Sequence, residues 1–209
     1  MSAEHARWRQ DKGDEILVLD YPLNENSQVI ELGGFHGLWT KRISNKFNCN
    51  VLVIEPIKEF YDKMINEFDY YLKTNRHKIK TENSGISTEE KELMFAVDGD
   101  ATSAHLTSNN PIKIKCYTLE HYLNKHNIDR VDLMQVNIEG EEYPLMQEWL
   151  NSGILKKFKY IQVQYHRYGE NYEEKHKKIQ EGLENSGFRL RWQYPFVWES
   201  WENTLYQNE

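Results

Sequence analysis

The stretch VIELGGFHG, Val29 to Gly37, decides how the rest of the chain is read. A short apolar run with the composition of a buried strand ends in three glycines, Gly33, Gly34 and Gly37, mixed with an aromatic residue and a histidine. Glycine has no Cβ, so the backbone there can turn sharply and lie close against another group. LWTKRISNKF (Leu38–Phe47) follows with helical character, and VLVIE (Val51–Glu55) is a continuous β-branched run that reads as a strand. Strand, glycine turn, helix and strand in this order begin a βαβ unit.

The alternation continues in both directions. EILVLDYPL (Glu15–Leu23) reads as an early strand and QVIEL (Gln28–Leu32) as a buried one. Phe60, Met64 and Phe68 form an i, i+4 stripe that predicts a helix over Ile57–Leu72. KIKTEN (Lys78–Asn83) predicts a third strand, and KELMFAV and IKIKCYT are further strand candidates. TLEHYLNKH predicts a short helix with Thr118 as its N-cap. VDLMQVNIE (Val131–Glu139) and FKYIQVQYH (Phe158–His166) predict strands. EEYPLMQEWL between them is a helix with Pro144 in its first turn, where proline is tolerated. A charged helix then ends at Gly187, a C′ glycine. FRLRWQYPFVWES and TLYQ close the chain as strand-like pieces with no helix between them, which suggests a hairpin. The expected fold is α/β, a mainly parallel sheet with helices on both faces and a C-terminal antiparallel hairpin.

With 209 residues, the chain suits one domain with a sizeable core, read here as an N-terminal segment 1–26, a candidate lid that includes Trp8, and a core over 27–209. The net charge of −7 argues against a dedicated nucleic-acid binder. Cys49 and Cys116 are too few and too separated for a disulfide framework or a metal site. The polar N-terminus carries no secretory apolar region, and no apolar run approaches the ~18 residues of a membrane span. A soluble, cytoplasmic protein is expected.

In open α/β sheets, ligands bind beyond the carboxyl ends of the strands, and a glycine turn into a helix brings backbone N–H groups to them. Glu55 ends the next strand, about twenty residues after the first glycine, where an acid accepts hydrogen bonds from ribose hydroxyls. A ligand-free turn and a solvated acid are the plainer readings of either feature alone; together they favour a nucleoside-containing cofactor. The dinucleotide fingerprint is G-x-G-x-x-G, and here Phe35 stands at its middle glycine. Glu31, just upstream, makes E-x-G-x-x-x-G, which suits the S-adenosylmethionine (SAM) loop of class I methyltransferases, where the acid helps hold the amino-acid end of the cofactor.

From these motifs the sequence resembles the FkbM family of SAM-dependent methyltransferases. VIELGGFHGLW resembles the family's first motif and VLVIEP, with Glu55 and Pro56, its second. ENSGIS, with Ser84, resembles the turn after the third strand that flanks the adenine. YTLEHYLNKHNIDRVDLMQVNIEGEEYPLM resembles the long block that ends in the family's acidic turn, and YIQVQYH and YPFVWESW resemble a subset tied to surface-polysaccharide gene clusters. The resemblance implies strand order 3-2-1-4-5-7-6, a Rossmann-like class I sheet, SAM as cofactor, and methyl transfer to a hydroxyl, commonly of a sugar or polyketide. It also implies a small-molecule or glycan acceptor, with glycosyltransferases as candidate fusion partners or associates. Where the family usually has Asp, this chain has Asn137, whose amide can hydrogen-bond cofactor or acceptor but cannot act as a base.

Methyl transfer is an in-line displacement, and a base near an alcohol acceptor helps by ~10²–10⁴-fold. His166, at the end of its predicted strand, is the preferred base, with Glu139 orienting acceptor or cofactor. Glu139 reads equally well as an acid of a helix start, and Glu142 reads first as one, its place among the candidates resting on the resemblance. The cofactor candidates are Glu31, Gly33, Gly34, Phe35, Gly37, Glu55, Pro56, Ser84 and Asn137. The acceptor candidates are His36, Asp100, Ser103, Glu142 and Trp198, the last from an aromatic cluster that is mostly core. No carboxylate set suited to Mg²⁺ is visible, so no metal is expected. Two other readings remain. One is an NAD(P)-dependent oxidoreductase, disfavoured by Phe35 and by the absence of a Tyr-x-x-x-Lys pair. The other is a catalytically inactive SAM-binding module, which Asn137 would suit.

Overall fold

The computed structural model describes residues 2–98, 101–103 and 111–206, and the side chains of all of these except 96–98 and 101–103. In chain order the elements are α1 (Ala3–Gln10), β1 (Gln28–Leu32), α2 (Leu38–Phe47), β2 (Asn50–Ile54), α3 (Lys58–Tyr71), β3 (Ile79–Glu82), β4 (Gly85–Ile86) and β5 (Lys91–Asp98). They continue with β6 (Ala101–Ser103), β7 (Ile112–Tyr117), α4 (Leu119–His126), β8 (Val131–Val136), α5 (Glu142–Ser152), β9 (Phe158–Val163), α6 (Tyr172–Asn185), β10 (Phe188–Tyr194) and β11 (Trp198–Asn203).

Seven strands form the main sheet in the order β10-β11-β9-β8-β1-β2-β3. The five from β9 to β3 are parallel, and β11 runs antiparallel to both β9 and β10. Counted within this sheet alone, that is the expected order. The central strands are mainly apolar on both faces because each face is covered. Leu119, Tyr122 and Leu123 of α4, Met146 and Trp149 of α5, and Ile179 and Leu183 of α6 pack with Ile30, Leu52, Met134 and Ile161. On the other face Trp39 and Ile43 of α2 and Met64 and Phe68 of α3 pack with Val29, Val51 and Leu133.

The structure corrects three expectations. The segment Glu15–Leu23 is not a strand: it makes turns and a short 3₁₀ helix at Leu17–Leu19. Both sides of β1 are taken by β2 and β8, so this run lies across the sheet face instead and buries Val18, Leu19 and Tyr21 there. Within TLYQ, Thr204–Tyr206 is not a strand either, and Gln207 lies outside the described residues. The hairpin forms within Phe188–Asn203, turning through Phe196 with φ +55°, and Thr204 instead donates its N–H to the Gly187 carbonyl. Third, β8 and β9 end earlier than predicted, at Val136 and Val163, so Glu139 and His166 sit on the loops that follow them.

A second small sheet, β4-β7-β5-β6, was not anticipated as a unit. Its Phe95, Ile114 and Cys116 form a separate apolar cluster with Ile57 and Phe60 beside the carboxyl ends of β1 and β2. Among the described residues, no helix is long and apolar enough to cross a membrane.

Candidate functional site

The glycine loop is held mostly by the protein itself. Gly33 and Gly34 donate their N–H groups to the Ile54 carbonyl at 2.9 and 3.2 Å. Gly33 has φ +88°, and a Cβ there would lie 2.0 Å from the carbonyl oxygen of Asn137. A Cβ on Gly34 would strike Val53 and Met64, and one on Gly37 would strike Phe68. The space the missing side chains leave is therefore filled by protein atoms. These glycines let two strand ends and α3 close on the loop, where the sequence had suggested they clear room for a ligand.

Glu55 closes the same arrangement. One carboxylate oxygen accepts the Phe35 N–H at 2.7 Å and the other the Ile57 N–H at 2.8 Å. Burial pushes its pKa up to about 7 against these two bonds. Each oxygen keeps a further lone pair for a hydroxyl donor.

Two cavities meet at this loop, sharing Gly33, Phe35 and Asn137 as a common wall. The first, about 150 Å³, is chiefly apolar: Ile54, Pro56, Phe60, Ile86 and Phe95 surround Glu55, and Glu139 stands at its border. The second, about 380 Å³, has aromatic walls from Trp8, Trp39 and Trp198, with Glu31, Gln135 and Gln164 as polar groups. His36 lines the second cavity, its ring stacked on Phe35 at 3.8 Å between centroids. Two buried polar atoms here have no hydrogen-bond partner among the described residues, Asn137 Oδ1 and His36 Nε2. Buried polar atoms are nearly always paired, so an orphan at a cavity wall points to a ligand.

Below the second cavity a polar line crosses the sheet. Glu31, Gln135, Gln162 and Ser200 are register partners on β1, β8, β9 and β11. Gln135 donates its amide to Glu31, Gln162 donates to Gln135, and Tyr21 donates to Gln162 while meeting the Ser200 hydroxyl. Thr40 donates to the second oxygen of Glu31. Burial is the main reason that Glu31 is pushed up to about 8, and the nearby Glu55 carboxylate adds to it.

A third group forms beyond β8 and β9. Glu142 is fully buried and accepts the Gly140 N–H at 2.7 Å, the His166 N–H at 2.6 Å and His166 Nδ1 at 3.0 Å. His166 Nε2 lies 3.3 Å from Glu139. Burial works against charge on this imidazole, but the two carboxylates prevail and push its pKa up to about 9. His166 is thus an imidazolium at neutral pH with both nitrogens occupied. The loop is tight, with φ +54° at Glu139 and +109° at Gly140.

The family comparison falls on these elements. Residues 34–190 match the methyltransferase FkbM domain. The chain belongs to the FkbM methyltransferase family. Solved structures of other methyltransferases share its architecture. Fibrillarin from Aeropyrum pernix with bound SAM superposes with TM-score 0.51 at 10% identity, covering 91% of this chain and 73% of that one. An rRNA methylase from Streptococcus thermophilus gives 0.51 at 12% identity over 87% and 89%. Precorrin-6y C5,15-methyltransferase from Geobacter metallireducens gives 0.51 at 9% over 87% and 73%. At such identities these likenesses show the fold alone. No curated protein matches the chain.

The cofactor of this FkbM methyltransferase is SAM. The residues present fit it. The apolar cavity around Glu55 has the chemistry of an adenosine seat, with the carboxylate for ribose hydroxyls. The orphaned Asn137 Oδ1 and the buried Glu31 suit an ammonium group. Gly33, Phe35, Glu55, Pro56, Asn137 and Glu139 all border this seat, whereas Gly34 lines only the second cavity and Gly37 lines neither.

Ser84 stands apart from both cavities. Its hydroxyl meets Tyr122 at 2.8 Å, and its neighbours Gly85 and Ile86 line the wall instead. Glu142 is a buried brace with no face to a ligand, a correction to its expected place at the acceptor. Trp198 is buried against Trp8, with 6.4 Å between stacked centroids, and forms part of the second cavity's wall. Ser103 belongs to β6, the strand of the small sheet farthest from β4, and Asp100 lies outside the described residues. Sequence reasoning missed Gln135, Gln162 and Gln164. For Gln135 and Gln162 the signal was available, since each stands between apolar residues at the end of a buried strand, VDLMQV and FKYIQV.

Proposed function

We propose that this methyltransferase methylates a sugar hydroxyl, with adenosine in the apolar cavity and the acceptor in the larger one. The observation that carries this reading is the shared wall of Gly33, Phe35 and Asn137, which sets an aromatic and amide-lined cavity directly beside the nucleoside seat. Flat aromatic faces with carboxamide donors and acceptors suit a ring bearing several hydroxyls. When bound, SAM supplies a methyl group on a sulfonium that leaves as a neutral thioether. The chain's own part is to align the acceptor and receive its proton. We assign the proton to His36 Nε2: the residue lines the acceptor cavity, and this buried nitrogen has no hydrogen-bond partner among the described residues. His166 cannot, because both its nitrogens already face carboxylates. Its role is positional, holding Glu139 and the β8–α5 loop.

Equilibrium binding of labelled SAM, followed by methyl transfer to a panel of monosaccharides and glycosides, tests the reading. Saturable binding that Glu55→Ala weakens by about tenfold or more, with label recovered as a sugar methyl ether, is the expected result. Label transferred to a nitrogen or carbon acceptor would overturn it.

A further inference from the structure

The second cavity has a charged mouth that the proposed reaction leaves unused. Arg9 of α1 and Arg42 of α2 both line it. Neither takes part in an ion pair among the described residues, although the chain has 33 acidic residues against 26 lysines and arginines. Nearby cations behave differently: Arg7 pairs with Glu4 and Lys41 with Glu67. Two acids line the same cavity, and both are committed. Asp14 accepts the Trp8 indole N–H at 3.0 Å on one carboxylate oxygen, and its carbonyl accepts from Arg42 Nη1. Glu31 is buried and bonded to Thr40 and Gln135.

This arrangement is built by folding the N-terminal segment back over the sheet. Trp8 packs among Trp192, Tyr194 and Trp198, and Gly13 lies against its ring so closely that a Cβ there would sit 2.1 Å from it. Anchored in this way, α1 sets Arg9 at the cavity beside α2. The Asp14 carbonyl holds one edge of the Arg42 guanidinium, whose other donors meet no acceptor among the described residues. A guanidinium presents a planar fork that matches the oxygens of phosphate or carboxylate.

We propose that the acceptor carries one anionic group, phosphate or carboxylate, close to the hydroxyl that is methylated, and that Arg9 and Arg42 bind it. The inference rests on placing the acceptor in the second cavity. Two unpaired arginines on a chain of net charge −7 fit a single anionic group better than a polyanion such as RNA.

The test is calorimetric titration of the full chain loaded with S-adenosylhomocysteine. The probes are methyl glucoside, glucose 1-phosphate, glucuronate and a short RNA. Glucose 1-phosphate or glucuronate is expected to bind at least about tenfold tighter than the neutral glucoside. Either order between the two supports the inference and names the group. Arg42→Gln and Arg9→Gln should each remove most of that preference, and Arg42→Lys should restore part of it for phosphate. Neutral and charged sugars binding alike, no binding by any sugar, unaltered preference in the arginine variants, or RNA binding tightest would each overturn it. Loss of S-adenosylhomocysteine binding itself would strike the cofactor placement, a separate result read in the same instrument.

Discussion

Two histidines stand at the same edge of the sheet with opposite sets of partners. His166 has carboxylates on both ring nitrogens and its backbone N–H on a third bond to Glu142. His36 stacks on Phe35, and its buried Nε2 has no hydrogen-bond partner among the described residues. By residue type and position alone, His166 was the better base, because it follows an apolar strand directly. The partners reverse that choice. An imidazole clamped as a cation is a structural tie, and one whose Nε2 has no partner among the described residues is available for chemistry.

The sharpest way to break the comparison is to exchange the roles. His36→Gln should lower the rate of methyl transfer by ~10²–10⁴-fold while SAM affinity stays within about twofold, as measured by single-turnover kinetics and equilibrium binding. A rate within about threefold of the parent would remove His36 from the chemistry.

Glu142→Ala leaves the His166 imidazolium with Glu139 alone and takes the acceptor from two backbone N–H groups, so it should cost about 3–5 kcal/mol in urea unfolding. A loss below about 1 kcal/mol would mean the clamp is decorative.

The third effect is one of pH. The ordinary imidazole value is 6.5 and the folded value about 9, so the native state binds the extra proton between them. The stability this contributes is fully present below pH 6.5 and is lost as pH rises through about 9. It amounts to about 3 kcal/mol at most. Glu31 and Glu55, held up at about 8 and about 7, also lower stability as pH rises above their usual range. The informative quantity is therefore the difference between the parent and His166→Gln, which should narrow across this window. A constant difference from pH 6 to pH 9.5 would show that His166 is not held as a cation.

The smallest effect is expected of His166→Gln on catalysis. Its turnover should fall by no more than about tenfold once the fold is secured by saturating SAM, because the side chain acts through Glu139 and the loop. A fall comparable to that of His36→Gln would restore His166 as the base.

What could be read from sequence was whatever is settled locally. Gln28–Leu32 and Leu38–Phe47 have the predicted bounds, since an apolar run, a glycine turn and an amphipathic stretch define them without outside help. Thr118 accepts the His121 N–H as an N-cap should. Most of the errors are matters of partnership. Glu15–Leu23 has strand composition but no strand to pair with. Ser84 faces Tyr122, which lies 38 positions along the chain. Glu139, Glu142 and His166 were each singled out, yet that they bind one another depends on the crossover between β8 and β9. The small sheet, which supplies Gly85, Ile86 and Phe95 to the apolar cavity, is joined by pairings between distant segments in the same way.

The line of Glu31, Gln135, Gln162 and Ser200 has a consequence for assembly of the chain. Parallel strands that are apolar on both faces are poorly indexed by hydrophobicity. A slip of one residue exchanges faces, and a slip of two restores them, with little change in what is buried. The polar line removes that degeneracy. Displacing β8 or β9 by two positions would leave carboxamides facing Leu133, Tyr160 or their equivalents, each with a buried polar group unsatisfied. The four residues thus act as a key that admits one alignment of the sheet's centre, and Tyr21, reaching in from the N-terminal segment, locks it from above.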